Sequence, residues 1–161
     1  MRNYIDSPNY YGLWIKKEED VFEREFDKFA PFLFWKTGEN SGKIFEYYQN
    51  ELVISLATNL IDDEKGRFSL EKKYIKKIGD LTEKTIFFEG GNNFGFIVGE
   101  WYFEGENGKN ISGDFYMGGC DDYKKVERKL GELYFDKLRY QLIKMIDRDK
   151  EEFPFSPKPF P

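Results

Sequence analysis

Alternation of apolar and polar side chains predicts that much of this chain forms β-strands. In the first half, the alternating segments are separated by residues that favour turns, and the turn at residues 38–42 joins two strands of a hairpin. The predicted strands in this half cover residues 11–15, 32–37, 43–48 and 51–57.

The most regular alternation lies in residues 84–117, which we interpret as a three-stranded antiparallel meander. Both faces of its middle strand, at 94–104, are largely apolar, so we expect a central strand covered on both sides. The last strand, at 110–117, places Phe115 and other apolar side chains on one face and polar side chains on the other. We therefore expect one face of this strand to lie in water.

Apolar residues at helical spacing predict one helix over about residues 17–30 and a longer one over about residues 121–149. Residues 69–78 fit a helix, but a strand running through 67–75 fits as well, and the pattern leaves both open. The Pro- and Phe-rich segment 151–161 is expected to be an extended tail.

Together these elements predict an α+β fold in a single domain over residues 1–150. The chain has 161 residues, which fits one domain of ordinary size. We expect a largely antiparallel sheet of about five to seven strands, packed against the N-terminal helix and the long C-terminal helix.

Composition excludes several kinds of chemistry. The chain has no histidine, which is the commonest general base and the commonest zinc ligand. A single cysteine, Cys120, rules out an internal disulfide. Residues 1–6 lack the apolar core of a signal peptide, and no apolar run approaches the roughly 20 residues of a membrane helix. We expect a cytoplasmic protein with no cofactor and no bound metal.

Three motifs resemble catalytic or ion-binding sites but lack essential features. Residues 38–43 resemble a phosphate-binding loop, but the loop is one residue short, lacks the Ser or Thr after its lysine, and leads into a strand. The acids at 62–64 lack EF-hand spacing, so we expect a solvated loop. Cys120 lies at a predicted helix N-terminus, which lowers a thiol pKa, but Asp121 and Asp122 oppose thiolate formation.

Two further charged groups lie on predicted elements. Lys72, Lys73 and two following lysines form a basic patch, which we interpret as a solvated face, with phosphate binding as the alternative. Glu100 and Glu104 share a strand face, and Glu89 lies on the neighbouring strand. A chain with 30 acidic residues forms such pairs by chance. We therefore expect no catalytic residues and a protein that is not an enzyme.

Charge and aromatic content favour a protein partner. The net charge of −5 disfavours direct nucleic-acid binding and favours a basic partner. The chain has 17 Phe, 11 Tyr and 3 Trp, more rings than one small core accommodates, so some are expected at an interface. The candidate partner-binding residues are Tyr10, Tyr11, Glu18, Glu19, Asp20, Glu104, Glu106, Asn107, Asp114, Tyr116, Asp121 and Asp122.

In this profile the chain resembles bacterial immunity proteins that neutralise polymorphic toxins. The acidic groups that carry the resemblance are residues 18–20, 62–64, 104–106 and 121–122. The resemblance implies a non-catalytic inhibitor that binds one basic, nuclease-type toxin domain in a 1:1 complex, without contacting nucleic acid or membrane. Acids would meet the basic groove of the toxin, and aromatic side chains would supply buried anchors.

Two other functions remain open at this point. One is an enzyme that uses carboxylates or a divalent metal in a pocket beside the meander. The other is a small-molecule binding module with aromatic side chains lining a cleft.

Overall fold

Eight β-strands and one α-helix make up the described part of the structure, which is a computed structural model. It describes residues 10–16, 29–48, 51–63, 65–75, 84–93, 96–104, 110–119, 127–128, 131–149 and 151. The elements are β1 (Tyr10–Lys16), β2 (Phe29–Lys36), β3 (Gly42–Tyr48), β4 (Glu51–Asp62), β5 (Arg67–Tyr74), β6 (Ile86–Asn93), β7 (Phe96–Glu104), β8 (Asn110–Gly119) and α1 (Glu132–Asp149).

The strands form a closed antiparallel barrel in which each strand pairs with its neighbours in sequence. The barrel closes because β8 pairs with β1, where Tyr10 lies opposite Gly119 and Trp14 lies opposite Phe115. Closure leaves no free edge in the sheet formed by the described strands.

The predicted α+β fold, with an open antiparallel sheet packed against two helices, is therefore wrong. Most predicted strands are correct, and the meander at 84–117 is present as β6 to β8. The prediction missed the pairing of β1 with β8, which closes the barrel and joins strands that are distant in sequence. Local alternation gives the strands but carries no information about such a distant pairing.

The helix predictions also change. Phe29 and Ala30 begin β2, so the predicted helix does not extend to residue 30, and residues 17–28 lie outside the described ranges. The predicted helix over 121–149 is interrupted at Gly131, which has φ +85° and donates its N–H to the Glu127 carbonyl at 2.8 Å. That arrangement ends a helical turn. The helix α1 therefore begins at Glu132.

Alternate side chains of the strands point into the barrel and form its main core. Aromatic rings pack at its centre, where the ring centroid of Phe115 lies 4.9 Å from that of Phe88 and 6.0 Å from that of Phe68. Eight strands enclose an interior that side chains of this size fill. The buried apolar residues of this core are Phe32, Phe34, Ile44, Ala57, Leu60, Phe68, Leu70, Ile86, Phe88, Ile97, Trp101, Phe115 and Met117.

Helix α1 covers part of the outer surface of the barrel. Leu138, Leu142 and Met145 follow one another at helical spacing and are fully buried. They pack against outward side chains of β1 to β3, including Leu33 and Phe45. The outer surface on this side is therefore a second apolar core.

The two remaining strand predictions have different outcomes. Residues 67–74 form β5, so the strand alternative for this segment is correct and the helix alternative is wrong. In β7 the inward Ile97 and Trp101 are buried, but Val98 on the outer face is 37% exposed and Glu100 is exposed, so this strand is not covered on both sides. The inward position of Phe115 in β8 is confirmed.

Gly12 lies at the seam where β1 meets β8. A Cβ atom at this position would lie 2.1 Å from the Tyr116 carbonyl oxygen and 2.5 Å from the Cβ of Met117. Such distances are well inside van der Waals contact, so the two strands approach this closely only because residue 12 is glycine. The seam that closes the barrel depends on it.

None of the helices in the described ranges combines the length and apolar character needed to cross a membrane.

Candidate functional site

The outward positions of β6, β7 and β8 form an acidic surface, which we call the acidic face. Because side chains alternate along a strand, every second residue of these strands points away from the barrel. The described outward positions include no Lys or Arg. The carboxylates of the acidic face are Glu89 on β6, Glu100 and Glu104 on β7, and Asp114 on β8.

Three of these carboxylates lie in one row across the strands. Glu89 pairs directly with Glu100, and Glu100 pairs directly with Asp114. Neighbouring strands are about 4.8 Å apart, so the row spans roughly 10 Å. Like charges at directly opposed positions repel one another. The acidic face therefore concentrates negative charge at one level of the outer surface.

Aromatic side chains lie beside the row. Phe87 and Tyr102 stack with ring centroids 5.3 Å apart and an angle of 24° between their planes. The Tyr102 hydroxyl donates a hydrogen bond to Glu89 Oε1 at 3.2 Å. The pKa of Tyr102 is raised, mainly by desolvation and to a smaller extent by this hydrogen bond and the charge of Glu89. The pKa of Tyr116 is also raised, mainly by desolvation and to a smaller extent by the charge of Asp114.

Three of the predicted partner-binding residues lie on the acidic face. Glu104 is exposed at the end of β7, and Asp114 and Tyr116 are half-buried at outward positions of β8. Two tyrosines lie elsewhere. Tyr10 donates its hydroxyl proton to Asp62 Oδ2 at 2.7 Å, and Tyr11 is fully buried beneath α1. The other predicted residues, Glu18, Glu19, Asp20, Glu106, Asn107, Asp121 and Asp122, lie outside the described ranges.

From the sequence alone, proximity of Glu89 and Glu100 is expected by chance in a chain with 30 acidic residues. The strand register makes them direct neighbours, and it extends the row to Asp114. The row can be identified only once the pairing register of β6, β7 and β8 is known, because that register puts three acids at the same level on one face.

A second group of polar side chains, which we call the interior cluster, lies inside the barrel. It consists of Trp14, Glu46, Ser55, Lys72 and Tyr74, contributed by β1, β3, β4 and β5. Lys72 Nζ forms an ion pair with Glu46 Oε1, and the two residues are 1% and 0% exposed. Glu46 Oε2 accepts hydrogen bonds from Trp14 Nε1 at 3.0 Å and from the Tyr74 hydroxyl at 3.3 Å.

Aromatic rings surround the Lys72 ammonium. Its nitrogen lies 4.6 Å from the ring centroid of Tyr74, 5.6 Å from that of Phe88 and 5.7 Å from that of Trp14. It also donates a hydrogen bond to the Tyr74 hydroxyl at 3.0 Å. Burial lowers the pKa of Lys72 below its ordinary value of 10.5, and the ion pair and hydrogen bond with Glu46 oppose this shift.

This position of Lys72 corrects the interpretation of residues 72–77 as the solvated face of one element. Lys73 is exposed as expected, but Lys72 points into the barrel. The cause is the two-residue period of β5, which sends adjacent lysines to opposite sides of the sheet. Lys76 and Lys77 lie outside the described ranges.

Two of the acids at 62–64, Asp62 and Asp63, also differ from a simple solvated loop, and Glu64 lies outside the described ranges. Asp62 is partly buried, and its Oδ1 accepts a hydrogen bond from Asn92 Nδ2 at 2.8 Å. Lys36 Nζ lies 3.7 Å from Asp62 Oδ2. Asp63 Oδ1 accepts the backbone N–H groups of Lys65 and Arg67 at 3.0 Å and so stabilises the β4–β5 turn. These two acids support the barrel.

No group of three or more acidic, cysteine or histidine side chains within the described ranges is arranged to hold a metal ion. No protein-family model, no curated protein and no solved structure matches this chain.

Proposed function

We propose that this protein is a non-catalytic inhibitor that binds and neutralises a basic protein. Its action would be that of a cytoplasmic immunity protein, which binds and blocks a nuclease-type toxin. The observation that carries the proposal is the row formed by Glu89, Glu100 and Asp114 on the outer face of the barrel. Acids at directly opposed positions repel one another, and a basic partner that covers the row would reduce that repulsion.

The closed barrel restricts how a partner binds. A free sheet edge would let a partner add a strand through main-chain hydrogen bonds. Closure of β1 onto β8 removes that mode for the described sheet. Recognition therefore depends on side chains of the outer face, and specificity comes from charge and shape.

The charge arrangement fits the substrate groove of a nuclease. Such a groove presents Lys and Arg side chains to a row of phosphates. The three carboxylates offer a row of negative charge in place of those phosphates, so the inhibitor and the nucleic acid compete for the same cationic side chains. Electrostatic attraction of this kind speeds the encounter and weakens with salt.

Aromatic side chains beside the row would slow dissociation. Tyr and Phe are enriched at protein interfaces, and Tyr is also enriched among the residues that dominate binding energy. Phe87, Tyr102 and Tyr116 are partly buried and lie within one or two residues of the carboxylates along their strands. We propose a 1:1 complex in which these rings are covered by the partner.

Co-expression with the product of the adjacent upstream gene tests the proposal. We expect a 1:1 complex by light scattering and loss of the neighbour's toxic activity. The variant Glu89→Lys/Asp114→Lys should fail to protect, whereas Glu39→Lys, which reverses an exposed acid in the β2–β3 turn, should protect fully. A neighbour without toxic activity, or full protection by the double variant, would count against this function.

A further inference from the structure

The outward face of helix α1 carries an inference that is independent of the acidic face. An α-helix turns about 100° per residue, so the face opposite the buried Leu138, Leu142 and Met145 is centred on Tyr140. Tyr140 is 68% exposed, the largest fraction among the exposed large apolar side chains of the described ranges. Ile143 lies about one turn further along the helix and is 44% exposed. The outward face of α1 therefore has an apolar centre that lies in water.

Charges of opposite sign lie at equal distances on either side of that centre. Asp136 precedes Tyr140 by four residues, Lys144 follows it by four, and both charged side chains are exposed. At a rise of 1.5 Å per residue, each charged residue lies about 6 Å from Tyr140 along the helix axis. The three side chains form one ridge of i, i+4 spacing, with an acid at one end, a ring in the middle and a base at the other end.

This order of charges fits a second copy of the same helix that runs in the opposite direction. A two-fold axis beside Tyr140, perpendicular to the helix, places Asp136 of each copy beside Lys144 of the other. Both ends of the contact then pair opposite charges. A parallel pair in register would instead place acid beside acid and base beside base. The ridge on α1 is therefore complementary to itself only in the antiparallel arrangement.

We propose that two copies of this chain associate through α1 as an antiparallel pair centred on Tyr140. Asp136 of each copy pairs with Lys144 of the other, and Ile143 packs against the Tyr140 ring across the contact. The acidic face lies on β6 to β8, so each copy keeps that surface open to a basic partner. One helix face is smaller than a standard interface of about 1,600 Å², and interfaces of that size have micromolar affinity at their weak end. The dimer should therefore dissociate at low micromolar concentration, where a 1:1 complex with a toxin forms from single copies.

Sedimentation velocity over a series of protein concentrations measures the self-association. We expect the wild type to shift from monomer to dimer between about 10 µM and about 1 mM. Tyr140→Ala should weaken the dimer at least about 10-fold, because it removes the ring at the centre of the contact. Arg139→Ala is the matched control and should associate as the wild type does, since Arg139 is exposed on the same helix but lies about 100° around it from Tyr140. A wild type that stays monomeric at about 1 mM would overturn the proposal.

Exchange of the two charges tests the antiparallel direction, and it decides even if Tyr140→Ala does not fold. Asp136→Lys and Lys144→Asp should each weaken the dimer, because each variant places like charges at both ends of the contact. A mixture of these two variants should associate, since their charges are opposite. The double variant Asp136→Lys/Lys144→Asp should associate within about 3-fold of the wild type. A mixture that does not associate, or a double variant that associates more weakly than either single variant, would contradict the pairing of Asp136 with Lys144.

Discussion

Glu100 of β7 and Asp114 of β8 are direct cross-strand partners on the outer face of the barrel. Glu89 of β6 lies on the other side of Glu100 at the same level. In a sheet that served stability alone, opposite charges or apolar pairs would be expected at such positions. The acidic row therefore makes two predictions, one on the stability of the free protein and one on binding.

Removing a charge from the row should stabilise the free protein. We expect Asp114→Asn to raise the free energy of unfolding by about 0.2–1 kcal/mol, because one repulsive cross-strand pair disappears. Urea denaturation at low salt measures the change, and about 1 M salt should remove most of it by screening. Glu39→Asn, at an exposed turn position, should show no comparable gain. A loss of stability in Asp114→Asn would contradict the repulsion.

The buried ion pair between Lys72 and Glu46 makes a prediction of larger size. Lys72→Met should lower the free energy of unfolding by about 3–5 kcal/mol, because it leaves the Glu46 carboxylate buried without its counter-ion. The double variant Glu46→Gln/Lys72→Met should recover a large part of that loss, since Gln keeps an acceptor for Trp14. Lys73→Met, at the exposed neighbouring position, should change stability by less than about 0.5 kcal/mol. Additive losses in the double variant would contradict the pairing.

The lowered pKa of Lys72 predicts a pH dependence. Between that lowered pKa and 10.5, the unfolded chain binds more protons at Lys72 than the folded chain does. The free energy of unfolding should therefore increase with pH through this window. The difference between wild type and Lys72→Met, measured by denaturation at a series of pH values, isolates this contribution. A difference that falls as the pH rises would show that the pKa is not lowered.

The seam of the barrel predicts a position-specific effect of alanine. Gly12→Ala should destabilise the protein by about 1–3 kcal/mol, because its Cβ would overlap the Tyr116 carbonyl oxygen of β8. Gly91→Ala is the matched control, since a Cβ there meets only the Gly66 carbonyl oxygen at 3.5 Å, an ordinary contact. Equal stability of the two variants would mean that the β1–β8 contact is looser than described.

The strands were predictable from the sequence because each has a two-residue period. β8 shows this most clearly, with Phe115 at a buried position between outward neighbours. The first half of β4 shows it around Val53, before the register shift between Thr58 and Ile61. β5 was ambiguous because its inward positions include a lysine. Lys72 next to Lys73 looks like one solvated face until the pairing of β5 with β4 and β6 sends Lys72 inward.

Barrel closure and the acidic row could not be predicted from the local alternation of apolar and polar residues. Both depend on which strands pair and in which register, and register is set by contacts between distant parts of the chain. The apolar outer face of β1 also misled the prediction. The sequence predicts Tyr11 as an exposed partner-binding residue, but α1 covers it. The position of that helix does not follow from the periodicity of either element.

The central claim is that a basic partner binds the acidic face, and the most direct test is the affinity for a basic toxin partner. Calorimetry should measure this affinity for wild type, Glu100→Lys and Glu39→Lys. Reversing a charge that is covered in a complex costs about 2–5 kcal/mol, so Glu100→Lys should weaken binding by at least about 10-fold. Affinity of the wild type should also fall as salt rises. Glu39→Lys should bind within about 2-fold of wild type. A partner that binds Glu100→Lys as tightly as wild type would contradict recognition through the acidic face.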